Sequence, residues 1–295
     1  MINYDKILVQ PQSTISLRDY QTDYTGTLKN KDEGKDLQEE NLKKLKDLQE
    51  RLYAFDRYAV LLIFQAMDAA GKDSTIEHVM SGVNPQGCQV FSFKQPSANE
   101  LEHDFLWRTY KSMPQRGRIG IFNRSYYEEV LVTRVHPEYI LGQRIPGIQR
   151  VQDVDETFWQ NRYRSINEME RHLHLNGTVI LKFFLNVSKE EQKQRFLKRI
   201  NRPDKNWKFT MSDVEERKHW DDYQQAFEQA INHTSTAHAP WHIIPADHKW
   251  FMRAAVSEII VDKLQSLDLR FPRVTEQQQE NLRQAKELFE NDPTA

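Results

Sequence analysis

Residues 59–75 read AVLLIFQA followed by MDAAGKDST, and this join decides the fold. The first eight residues form an unbroken apolar run, short enough for a strand and apolar enough to be covered on both faces. The next residues carry the spacing G-x-x-x-x-G-K-[ST] of a phosphate-cradling loop that opens a helix, with two departures. Ala66 replaces the first glycine, and Asp73 replaces the hydroxyl residue after Lys72. The physics survives both. A tight loop feeding a helix still turns the backbone N–H groups of Ala69, Ala70, Gly71 and Ser74 toward an anion, with the helix dipole behind them. Lys72 reaches the phosphate being transferred. Magnesium takes hard oxygen ligands, and Asp68 or Asp73 supplies one better than a hydroxyl does.

Outward from this join, four more strand candidates follow: 88–93, 118–123, 178–187 and 241–246. Helical patterns separate them at 73–82, 99–112, 153–175, 188–201 and 212–232. Further helices are expected at 35–54, where Leu37, Leu42, Leu45, Leu48 and Leu52 recur, and at 249–267 and 275–290. Ser188 with Glu191 and Ser212 with Glu215 have capping-box spacing. The alternation predicts an α/β fold of three layers, a five-stranded parallel sheet with helices on both faces. Residues 1–34 are polar and read as an extended arm. Residues 35–295 read as one domain, with a helical lid at about 188–225.

Ligands of such sheets bind beyond the carboxyl ends of the strands, so the residues there carry the chemistry. After the second strand comes Lys94, then Arg108 on the predicted helix. After the third come Asn123, where a metal-binding Asp is usual, and Arg124, suited to bidentate phosphate contact. Glu128 and Glu129 follow; acids also favour a helix start on dipole grounds alone. Arg134 adds a cation near the same end. Arg195 and Arg199 share one helix face and suit a lid that neutralises a transferring phosphoryl group.

The composition narrows the class. Lys and Arg number 41 against 43 Asp and Glu, a formal charge of −2. No general basic excess of a nucleic-acid binder exists. With 15 Phe, 11 Tyr and 6 Trp, a disordered chain is excluded. A single cysteine, Cys88, forms no intramolecular disulfide and points to a reducing compartment, the cytoplasm. The longest nearly continuous apolar run, 58–67, falls short of the roughly 20 residues of a membrane span. The ten histidines show no metal-ligand spacing.

The runs FQAMDAAGKDSTI, IFNRSYYEEVLVTRVHPEY, LKFFLNVSKEEQKQRFLKRI, KNWKFT and TSTAHAPWHIIPADHKWF, in this order over about 20–272, resemble the polyphosphate kinase 2 family. The resemblance implies a P-loop kinase fold of thymidylate-kinase type. It also implies phosphoryl transfer between inorganic polyphosphate and AMP, ADP or ATP, with magnesium or, in its place, manganese. On that basis Gly71 and Lys72 hold phosphates, Asp68 and Asp73 bind metal or activate the acceptor, Arg124 binds phosphate and Arg199 is a lid arginine. Asn123 and Glu128 resemble the subgroup that accepts both nucleoside mono- and diphosphates. A polyanionic donor calls for several cations in a row, for which Lys72, Lys94, Arg108, Arg124, Arg134 and Arg199 are the candidates. The alternative is an ATP-dependent nucleoside monophosphate kinase on the same fold. A homo-oligomer, dimer or tetramer, is the expected assembly.

Overall fold

The computed structural model describes residues 2–292. Five parallel strands, β1 (Ala59–Ala66), β2 (Cys88–Ser92), β3 (Ile119–Asn123), β4 (Thr178–Asn186) and β5 (Trp241–Pro245), form one sheet in the order β2-β3-β1-β4-β5. The two most apolar strands, β1 and β4, lie side by side at its centre, and every residue of β4 is buried. The layered α/β fold expected from the alternation is the one observed.

The helices are α1 (Lys31–Phe55), α2 (Lys72–Val79), α3 (Trp107–Tyr110), α4 (Glu128–Val135), α5 (Glu138–Leu141) and α6 (Glu156–Leu175). They continue as α7 (Lys189–Ile200), α8 (Met211–Lys218), α9 (Trp220–Thr234), α10 (Lys249–Gln265) and α11 (Glu276–Glu290). Helix α1 begins earlier than the leucine spacing indicated, because Asn30 caps it by accepting from the N–H groups of Asp32 and Glu33. It packs against α10 so closely that a Cβ on Gly34 would lie 2.3 Å from the Trp250 ring.

Three expectations are corrected. The helix foreseen over 99–112 is two separate turns, 100–102 and α3, because the Asp104 carboxylate accepts from Leu106 N and turns the chain between them. The helix foreseen over 212–232 breaks at His219. Beyond the break Trp220 and Tyr223 are buried, whereas α8 on the near side buries nothing. The cap of α8 is Thr210 with Asp213, not Ser212 with Glu215.

The segment before α1 is packed onto the domain. Ile7 and Val9 are fully buried, Val9 N donates to Trp241 O, and Ile243 N donates to Ile7 O. This short antiparallel pairing covers the β5 edge, which would otherwise offer unpaired backbone groups.

Candidate active site

β1 delivers the chain into a loop that turns back through left-handed Ala69 (φ 59°) and Gly71 (φ 104°) before α2 starts at Lys72. The Lys72 side chain is buried under that loop, and its Nζ donates to Ala66 O at 2.8 Å and Met67 O at 3.4 Å. Burial holds the ammonium below the usual lysine range, as does the Arg124 charge, while Asp68, Glu128 and Asp73 oppose both. Ser74 Oγ donates to Gly71 O at 3.1 Å and steadies the first turn of α2.

Beside β1, β3 ends at Asn123, and Arg124 follows at φ 63°. The residues after β3 meet both loop carboxylates. Asn123 Nδ2 donates to Asp73 Oδ1 at 2.6 Å, and Arg124 Nη2 donates to Asp68 Oδ1 at 2.9 Å. Glu128, four residues on, faces the same cluster. Its carboxyl is held above the ordinary range by burial and by Asp68, against the opposing charges of Arg124 and Lys72. The Gln65 amide, with its nitrogen toward Glu128, donates to Oε1 at 2.8 Å.

A cavity of about 660 Å³ opens at this point, with Asp68, Arg124 and Glu128 in its wall. Lys94 and Arg108 also line it. Arg108 is held in place by donating from Nη1 to Lys94 O at 2.7 Å and by the Phe93 ring 5.6 Å away. Its apolar wall includes Leu101, Leu131, Tyr139 and Phe227.

Two expected cations stand apart. Arg134 is not in the cavity wall; it pairs with Glu156 at 2.9 Å and lies over the Trp159 ring. Arg199 does not line the cavity either and rests against Phe196 at 5.5 Å. Helices α7 and α8 reach the cavity through Gln192, Glu216 and Arg217 instead. Gln192 Nε2 donates to Asp68 O at 2.9 Å, Arg217 Nη1 donates to Gln192 Oε1, and Tyr223 Oη donates to Glu216 Oε2 at 2.7 Å. Gln192 falls inside the run LKFFLNVSKEEQKQRFLKRI, and no motif marks Glu216 or Arg217 in the sequence. Arg195, one turn from Arg199, is buried and donates to the carbonyls of Ala70, Ala246 and Asp247. It ties α7 to the loop that precedes α2.

Among the described residues no group of three His, Cys, Asp or Glu converges to hold a metal. Asp68 and Asp73 offer hard carboxylate oxygens, the kind of donor magnesium takes. That ion takes one or two carboxylates and completes its shell with water and substrate phosphates.

The sequence and the fold were compared with known proteins. The chain is 54% identical over 246 residues to an ADP-polyphosphate phosphotransferase of Rhodopseudomonas palustris, covering 83% of this chain and 84% of that one. It is 44% identical over 272 residues to an AMP/ADP-polyphosphate phosphotransferase of Meiothermus ruber, covering 91% and 95%. The crystal structure of Polyphosphate Kinase 2 from Arthrobacter aurescens TC1 superposes with a TM-score of 0.85 at 37% identity, over 95% of this chain and 98% of that chain. The profile of Polyphosphate kinase 2 (PPK2) matches residues 27–272. With that match over most of its length, the chain belongs to the polyphosphate kinase 2 family.

Proposed function

We propose that this enzyme transfers the terminal phosphoryl group of inorganic polyphosphate to AMP and to ADP, reversibly, giving ADP and ATP. The observation that carries the reading is the contact of Asp68 with Arg124, where the phosphate loop opens onto a nucleotide-sized cavity.

The donor's end lies in the loop, against the backbone N–H groups of 69–74 and Lys72. The acceptor lies in the cavity, its phosphates near Arg124 and Lys94 and its base against the apolar wall. A terminal phosphate oxygen of the acceptor attacks the terminal phosphorus of polyphosphate in line. The bridging P–O bond breaks, and the shortened polyphosphate leaves with that oxygen. Such a transfer needs positioning and charge neutralisation rather than a covalent nucleophile. Lys72 and Arg124 neutralise charge on the transferring group, and Gln192 and Arg217 close the lid side. Asp68 and Asp73 would hold magnesium, or manganese, which when bound neutralises phosphate charge.

An ATP-dependent nucleoside monophosphate kinase is the less favoured reading, since the relatives' names specify polyphosphate. No helix among the described residues is long and apolar enough to cross a membrane. A cytoplasmic homo-oligomer is the setting we infer; the lone Cys88, which can form no intramolecular disulfide, supports the reducing compartment.

The test is nucleotide analysis after incubation with magnesium, long-chain polyphosphate and either AMP or ADP, without added ATP. ADP followed by ATP supports the reading. Conversion of ADP alone restricts the acceptor, and phosphorylation only when ATP is added overturns the polyphosphate donor.

A further inference from the structure

A second cleft, of about 350 Å³, lies between α6 and α9 and shares no wall residue with the cavity beside Asp68 and Arg124. Tyr163 and His233 meet in its wall with their rings stacked, centroids 4.8 Å apart. His233 Nδ1 meets Gln229 O at 2.8 Å and its Nε2 meets Gln160 Nε2 at 3.0 Å, so both ring nitrogens are engaged within the protein. The free charges of the cleft lie on α6. Arg164, Glu168 and Arg171 follow one another there at steps of four and three residues, along one stripe of the helix.

Among the described residues, none of these three charged side chains makes a hydrogen bond or an ion pair. On the same helix face two polar atoms, Tyr163 Oη and Asn167 Oδ1, are buried without a partner. Asn167 Nδ2 donates to His233 O at 2.8 Å, which sets the amide and leaves Oδ1 needing a donor. A buried polar atom left unpaired in a folded chain calls for a ligand or water to satisfy it.

The chemistry of the wall narrows the ligand. Two guanidiniums and a hydroxyl donate, whereas a carbonyl oxygen and a carboxylate only accept. An anion without a proton answers the first group and leaves Asn167 Oδ1 orphaned and Glu168 facing like charge. A neutral molecule leaves both arginines bare. Hydrogenphosphate answers both groups: its oxygens accept from arginine, and its P–OH donates to Asn167 or Glu168. A phosphate monoester has lost its last proton by pH 8, whereas the free ion is doubly charged and still protonated. Seven residues of helical rise separate Arg164 from Arg171 by about 10.5 Å, within the joint reach of two arginine side chains.

We propose that the cleft between α6 and α9 is a binding site for inorganic phosphate, separate from the site of the reacting phosphates. Arg164 and Arg171 clamp the anion, Tyr163 donates to it, and Asn167 and Glu168 select its protonated form.

The test follows radiolabelled orthophosphate by equilibrium dialysis at pH 8. It uses full-length Lys72→Ala, in which the loop before α2 contributes least. Arg164→Gln/Arg171→Gln and, separately, Tyr163→Phe are added to that background, each first checked for an unchanged melting curve without phosphate. The expected result is saturable binding of one phosphate per chain in Lys72→Ala. The arginine variant weakens it at least about tenfold, the scale of losing charged hydrogen bonds, and Tyr163→Phe weakens it severalfold. Phosphate also raises the melting temperature of Lys72→Ala by mass action and leaves the arginine variant unmoved. Sulfate and glycerol phosphate, which lack the proton, and glycine displace the label poorly, since a site built to bind a hydroxyl rejects an analogue without it. Absence of saturable binding in Lys72→Ala, or equal binding after loss of both arginines, overturns the site. Displacement by sulfate, glycerol phosphate or glycine as effective as by phosphate overturns the assignment of the ligand.

Discussion

Arg124 Nη2 stands 2.9 Å from Asp68 Oδ1, so the group expected to bind phosphate and a group expected to bind metal are paired with each other. Their side chains are 39% and 35% exposed, and a pair that open to water is worth about 0–1 kcal/mol. Exchanging it for contacts to substrate therefore costs little. The first prediction is that Asp68→Asn lowers kcat by roughly 10²-fold or more, the scale of losing one preorganised electrostatic contact. Its melting temperature stays close to that of the parent, because little stability resides in the pair. Lys72→Ala follows the same pattern. Turnover within tenfold of the parent in either variant removes the assigned role.

Glu128 gives the second prediction, through pH. Its carboxyl titrates above the ordinary range in the folded chain, chiefly through burial. A raised acid penalises folding only when ionised. The penalty is absent below the unfolded value of about 4.3 and grows as pH rises through the folded value. Glu128→Gln removes it. Thermal melts should show the variant more stable than the parent at pH 8, by roughly 1–4 °C, with the gain shrinking toward pH 5. A gain that is equal at both pH values refutes the ionisation argument.

The loop after β1 is legible from local sequence alone: an apolar run, a glycine, a lysine and the helix beyond. The five strands were legible for the same reason. What failed was whatever depended on how one element's side chain meets another's. Arg134 and Arg199 are spaced as well as Arg124 along the chain, yet Glu156 and Phe196 engage them. Arg195, which reads as an exposed lid cation, is buried because three carbonyls converge where its guanidinium ends. The break at His219 was invisible because Glu216, Arg217 and Lys218 before it are good helix formers and no Gly or Pro marks it; burial of Trp220 and Tyr223 decides it.

Arg217 on α8 and Arg199 on α7 give a third prediction. Arg217 lines the cavity and donates to Gln192, which itself holds the Asp68 carbonyl. Arg199 does none of this. Arg217→Ala should therefore lower kcat/KM for AMP by at least about tenfold, the loss of one charged contact that closes over substrate. Arg199→Ala should change it less. Steady-state kinetics on both variants checks the order, and the reverse ranking returns the lid role to Arg199.

Lys182 on β4 and Glu170 on α6 form a fully buried pair at 2.7 Å. Lys182 Nζ also donates to Tyr127 Oη and Thr234 O, and both Tyr126 and Tyr127 donate to Glu170 Oε1 at 2.8 Å. Every strong donor and acceptor in this group is matched, which is what makes an ion pair tolerable in the core. The two tyrosines follow Arg124 by two and three residues, so the network also anchors the turn that holds Arg124 at its positive φ. Lys182→Met leaves a buried carboxylate facing only hydroxyls, and removing one partner of such a pair costs roughly 3–5 kcal/mol. Urea denaturation should show that loss. Replacing Glu170 as well, by Leu, recovers only part of it, because the hydroxyls of Tyr126 and Tyr127 then lose their acceptor at about 1–3 kcal/mol each. Full recovery in the double variant would mean the tyrosines find other partners and the network does not hold the turn in place.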